Sequence, residues 1–149
     1  ELHQNGQTRD ILTVDNHTDG VFLYLSLMKE NNPGAELAYN LLKINGGNRS
    51  GIAFGCISNT GEVYADQFWR HHSFGNIRVR KFGEIWEDTS DPLMKGLKNR
   101  KPLIKGRCSL CKYYELCGAN FRVRAEAVYG DVWAPDPACY LTDEEIGVG

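Results

Sequence analysis

Apolar residues along this chain fall first in a continuous run, then at helical spacing, then in strand-like stretches, and last in short clusters broken by cysteine. Asp10-Ile-Leu-Thr-Val14 reads as a short buried strand, followed by a polar turn, Asp15-Asn-His-Thr-Asp-Gly20, rich in cap-forming residues. Val21 to Glu30 is apolar on nearly all sides, which predicts a buried helix, and Asn31-Asn-Pro-Gly34 breaks it. Leu37, Leu41 and Ile44 recur at helical spacing within Ala35 to Ile44, before Asn45-Gly-Gly47 stops the pattern. Ile52 to Ile57 and Glu62 to Trp69 flank Ser58-Asn-Thr-Gly61, which predicts a β-hairpin. Phe74 to Arg78 is extended, Phe82 to Glu87 starts a helix, and Asp91-Pro92 pairs a cap with a proline at the first position of another. Helix is expected again from Phe121 to Tyr129, ended by Gly130. Two prolines keep Trp133 to Ala138 extended, and Thr142-Asp-Glu-Glu145 has capping-box spacing.

Composition narrows the class. The 149 residues are 42% apolar and 24% charged, with a net charge of −2, enough for one domain with a core. That charge offers no general attraction to nucleic acid or an anionic membrane, and no apolar run approaches a membrane span. The absence of a start methionine or signal sequence reads as a chain that begins in mid-protein or after processing. The charge is unevenly placed: Lys95 to Arg124 holds nine Lys or Arg and one acid, whereas Glu126 to the end holds six acids and no Lys or Arg. This is either a solvated basic face with an acidic tail or a positive wall beside an anionic group.

The cysteines supply the candidate chemistry. Cys108, Cys111, Cys117 and Cys139 are spaced C-x2-C-x5-C-x21-C. Four thiolates complete the shell of one tetrahedral zinc or one cubane iron–sulfur cluster. Soft donors select those metals, and spacing alone leaves both open. Clustered cysteines of this kind imply metal binding and a reducing, cytoplasmic setting. Cys56, on the first hairpin strand, reads as a buried free thiol outside the ligand set.

These cysteines, downstream of the hairpin and of Gly75-Asn-Ile77, resemble the SPASM domain, the auxiliary-cluster domain of radical S-adenosylmethionine enzymes, whose full pattern has seven cysteines and two [4Fe–4S] clusters. Here Asp66 and Phe121 stand where that family has cysteines, so the resemblance implies that one cluster's ligands are missing and the other's are present. Thr13 to Gly20, Ala65 to Trp69, Lys105 to Cys108, Asn120 to Arg124 and Asp136 to Glu145 are similar to the branch of modified-tetrapyrrole synthesis. Its members act on didecarboxysiroheme, converting acetates to methyls in the alternative haem pathway or modifying propionates in haem d1 synthesis. The catalytic C-x3-C-x2-C motif of such enzymes is absent from this sequence, so the chain alone is not expected to be active.

The resemblance implies an α+β fold: residues 47–149 form a cluster domain of hairpin and short helices around the cysteines, and residues 1–46 are the last strand and helix of a partial TIM-like barrel. It also implies an auxiliary [4Fe–4S] cluster here, S-adenosylmethionine and a second cluster in the full-length enzyme, an iron tetrapyrrole substrate and a protein electron donor or acceptor. Asp15 and His17, following a predicted strand, are candidates for substrate ligation or proton transfer; otherwise Asp15 or Asp19 caps the next helix and His17 is a turn residue. Asp66 and Gln67 are candidates for a substrate contact or a structural hydrogen bond, and Arg70, His71, His72 and Arg122 are candidate substrate contacts, Arg70 through carboxylates and one histidine through iron; otherwise Arg70, His71 and His72 are polar surface residues. Arg122 and Arg124 diverge on a helix, so one neutralises the cluster and the other faces solvent. Phe68, Trp69, Phe74 and Trp86 are assigned to the core. Two rival readings remain: a radical enzyme of the same domain type acting on a peptide, and a structural zinc module that binds protein or RNA.

Overall fold

The computed structural model describes Gly6 and residues 15–149; the strand expected over residues 10–14 lies outside the described residues. Helix α1 (Thr18–Lys29) and helix α2 (Ala35–Asn45) pack against each other. Gly20 lets them approach closely, since a Cβ there would lie 2.6 Å from the Leu42 side chain. Strands β1 (Cys56–Ile57) and β2 (Val63–Tyr64) form the hairpin, with Cys56 opposite Tyr64 and Ile57 opposite Val63. The pairing is shorter than the apolar runs suggest, and Phe74 to Asn76 extends it by bonding back to Val63 and bridging Glu62.

Short helices make up the rest: α3 (Phe82–Glu87), α4 (Pro92–Lys98), α5 (Gly106–Leu110), α6 (Tyr114–Cys117), α7 (Arg122–Tyr129) and α8 (Asp143–Ile146). Sequence chemistry explains several boundaries. The Asp91 carboxylate accepts from the N–H groups of Leu93 and Met94, with Pro92 in the first turn of α4. Thr142 and Glu145 close a reciprocal capping box at α8, and Gly130 ends α7 at φ 65°.

Burial departs from expectation at both N-terminal helices. In α1 only Thr18 and Val21 are buried, while Phe22, Leu23 and Met28 are about half exposed. In α2 the Leu37–Leu41–Ile44 stripe faces outward, and Tyr39 and Leu42 make the packing contacts. Helical periodicity is read correctly, but a periodic stripe cannot say which neighbour covers it. Phe68 is likewise 46% exposed, whereas Trp69 is fully enclosed with Ala65 and Leu97.

The core that positions the site joins Val21 of α1, Leu116 of α6, Leu141 and Ile146 of α8, with Leu42 and Tyr39 behind them. Residues on both sides of the expected 46/47 boundary therefore share one core. No described helix is long and apolar enough to cross a membrane.

Candidate metal centre

The four cysteines arrive on different local structures. Cys108 lies within α5, Cys111 caps its C-terminus in an extended conformation, Cys117 ends α6, and Cys139 sits in the loop before α8. All four line one cavity, walled otherwise by Thr18, Val21, Ala119, Leu141 and Ile146 among others. Cys56 is half-buried rather than buried, and lies outside this cavity.

Backbone detail explains how the chain returns three times to one place. After Cys117, Gly118, Ala119 and Asn120 take φ values of 64°, 57° and 56°. Two consecutive non-glycine residues in the left-handed region cost about 1–2 kcal/mol each, so the surroundings must hold them there. They do so through Asn120, fully buried, whose amide donates to Asn16 Oδ1 at 2.7 Å and accepts from the His17 N–H at 3.2 Å. The same turn is braced by Asn48, whose N–H donates to the Cys117 carbonyl at 3.1 Å. Gly47 is needed beside it, because a Cβ there would lie 2.1 Å from the Cys117 backbone.

Arginines hold the fourth cysteine's loop. Arg107 donates to the carbonyls of Cys139 and Leu141 and pairs with Asp143 at 2.8 Å, tying α5 to this loop. Arg124 grips the buried Asp136 carboxylate with two bonds of 2.9 Å. Burial pushes the Cys117 thiol up to about 12 and raises Cys108 and Cys111 as well. In a dry, apolar cavity these groups stay protonated until a metal cation displaces the proton. The Tyr113 N–H donates to Cys111 Sγ at 3.4 Å.

The remaining candidates are not gathered at this cavity. Asp66 is fully buried: its carboxylate accepts from Ser50 Oγ at 2.7 Å and from the N–H groups of Phe68 and Trp69. That is a structural anchor for the turn after β2, the second of the two roles open to Asp66 in the sequence. Arg122 is also fully buried, donating to the carbonyls of Ala119, Val132 and Ala134, and so is closed to a substrate from solvent. Gln67 is exposed, and the Arg70 guanidinium lies 5.8 Å over the Tyr64 ring. His71 meets Glu126 at 2.9 Å and His72 meets Asp91 at 3.0 Å, so the adjacent histidines diverge.

Neither Asp15 nor Asp19 caps α1; His17 occupies the cap position without a side-chain bond. Asp19 instead accepts from Asn16 and from the Tyr140 hydroxyl. The His17 ring stacks on Phe121 at 5.8 Å. Burial, followed by the charge of Arg124, lowers its pKa, favouring neutral imidazole. Phe121, Phe68, Val123, Ala127, Arg124 and Asp15 line a separate open hollow of about 360 Å³. Sequence reasoning missed Asn120, Asp136 and Arg107 as builders of the centre. Asp136, three residues before Cys139, carried a signal in its spacing; the buried Asn120 carried none.

With this geometry in view, comparison with known proteins is informative. The chain is 62% identical over 150 residues to Fe-coproporphyrin III synthase of Methanosarcina barkeri, covering 99% of this chain and 38% of that protein. It is 38% identical over 144 residues to pre-heme d1 synthase of Dinoroseobacter shibae, covering 95% of this chain and 35% of that protein. A third relative, AdoMet-dependent heme synthase of M. barkeri, is 35% identical over 89 residues, covering 60% of this chain and 24% of that protein. The chain is similar over nearly its whole length to the first two of these enzymes of haem-related pathways, and it spans little more than a third of the length of those two relatives. No family model matches, and no solved structure matches.

Proposed function

We propose that this chain is the auxiliary-cluster portion of a radical S-adenosylmethionine enzyme that converts acetate side chains of didecarboxysiroheme to methyl groups, giving an iron coproporphyrin. The observation that carries the reading is the cavity lined by Cys108, Cys111, Cys117 and Cys139, in a chain 62% identical to a protein named for Fe-coproporphyrin III synthesis. The lower identity to the pre-heme d1 synthase favours the acetate-to-methyl branch over the haem d1 branch.

The donor set suits a [4Fe–4S] cluster. A single zinc with bonds of about 2.3 Å draws its four sulfurs to roughly 3.8 Å from one another, whereas a cubane keeps its ligands further apart. All four thiols line one shared space. When bound, the cluster would supply one-electron chemistry for a substrate radical generated elsewhere in the enzyme. The chain's own residues supply the ligands, exclude water with Val21, Leu141 and Ile146, and fix the ligand loops through Asn120, Arg107 and the Arg124–Asp136 pair.

Anaerobic reconstitution of the chain with iron and sulfide tests this. Roughly four irons and four sulfides per chain, as a cubane requires, with a visible absorption that dithionite bleaches, support the reading. Stoichiometric zinc in a colourless protein contradicts it. In the full-length enzyme, binding of didecarboxysiroheme supports the substrate assignment, and binding of a peptide in its place overturns it.

A further inference from the structure

Two arginines at the centre lack what buried arginines ordinarily have. Arg122 is fully buried and Arg100 is 4% exposed, and neither forms an ion pair with a carboxylate among the described residues. An enclosed cation without an opposing charge is expensive, and such groups are retained beside an anion. Arg100 donates to the carbonyls of Asn48, Ser50 and Gly118, the last adjoining Cys117. Arg122 donates through its terminal nitrogens to Ala119, which lines the thiol cavity, and to Val132 and Ala134 on the irregular segment leading to Cys139. Its Nε–H is enclosed and has no partner among the described residues. The other enclosed donor without a partner, Asn48 Nδ2, belongs to the residue whose N–H binds the Cys117 carbonyl. Both unpaired donors thus flank the turn that carries Cys117. Burial lowers the Arg122 pKa, and the Cys108 thiol, the Asp136 carboxylate and the Cys117 thiol act against that shift.

Resting on the reading of the four cysteines as cluster ligands, we propose that Arg122 is the counter-charge to the cluster, donating from Nε to one of its sulfurs, with Arg100 as a second cation, and that the pair raises its reduction potential. The four-thiolate cubane is anionic in every accessible oxidation state and gains one negative charge on reduction. A fixed guanidinium beside it favours the reduced form. Two such cations, held by backbone carbonyls that cannot neutralise them, match the centre to accepting an electron.

The test is a potentiometric titration of the full chain after reconstitution with iron and sulfide. Arg122→Gln is expected to keep wild-type iron content and to shift the midpoint to more negative potential. Arg122→Lys should recover most of the shift, and Lys43→Gln, which removes an exposed charge, should leave the midpoint unchanged. A midpoint for Arg122→Gln equal to that of Lys43→Gln overturns the proposal. Should Arg122→Gln fail to hold iron, the wild-type chain grown with guanidino-¹⁵N-arginine decides by pulsed EPR of the reduced cluster. A nitrogen coupling that persists in Arg107→Lys supports the proposal, and the absence of any arginine coupling overturns it. A wild-type chain that takes up no iron overturns the cluster reading and this inference together, whereas iron uptake with an unmoved midpoint overturns the inference alone.

Discussion

Single residues separate ligands from bystanders. Cys117 lines the cavity and Cys56 does not, so Cys117→Ala should lose most of the iron while Cys56→Ala retains it, as measured by metal analysis after identical reconstitution. Equal loss in both would show the ligand set to be wrong. Asp66 accepts three hydrogen bonds in full burial, and Asp66→Ala leaves those donors unsatisfied. The expected cost is about 3 kcal/mol, read as a shift in the urea midpoint, with little direct effect on cluster spectra. His17 gives a pH dependence. Its folded pKa lies below the usual 6.5 because burial, then Arg124, disfavours the charged ring. Its contribution is therefore present above about pH 6.5 and is lost as pH falls towards the folded value, because the unfolded chain takes up the proton first. Wild-type protein should lose stability on acidification through that window more steeply than His17→Gln, and parallel curves would contradict the assignment. The four cysteines were legible because their spacing is itself chemical information. The sequence left Asp66 open between a substrate contact and a structural hydrogen bond, and did not show Arg122 to be enclosed, because polarity in a sequence does not reveal whether a side chain faces a ligand or is enclosed by its own backbone.

Elements were legible wherever their ends carry capping chemistry. Asp91-Pro92, Thr142 with Glu145, and Gly130 each mark a boundary that the structure shares, because caps act over three or four residues. The exposed stripe of α2 was not legible, since burial depends on distant partners. Two glycines with similar φ separate conformation from space. Gly130 has open surroundings, so Gly130→Ala should cost about 1 kcal/mol from the left-handed conformation alone. Gly47 faces the Cys117 backbone at 2.1 Å, so Gly47→Ala must displace that cysteine and should reduce iron retention severalfold. Metal analysis of the two variants side by side checks this, and equal retention would mean that the 47–117 contact does not hold the ligand turn. Thr142→Ala should weaken α8 by about 1 kcal/mol, loosening Ile146 against the cavity, with faster cluster loss on exposure to air as the readout.

At the scale of the molecule, a metal held by the four cysteines would be the cross-link that the short elements otherwise lack. The described sheet has only two strands, and α1, α6 and α8 meet in an apolar cluster that also walls the thiol cavity. Removing the metal should therefore lower the thermal transition and broaden it, because binding free energy here is folding free energy. The sequence pointed to this organisation through one motif and one resemblance, and the comparisons support the same pathway class. It could not disclose that α1 joins the cavity wall, since Thr18 and Val21 lie about ninety residues before Cys108. The most direct measurement of the central claim is iron, sulfide and zinc content of the anaerobically reconstituted chain. About four irons and four sulfides, lost in Cys117→Ala and retained in Cys56→Ala, is the predicted result. One zinc per chain with no sulfide would contradict it.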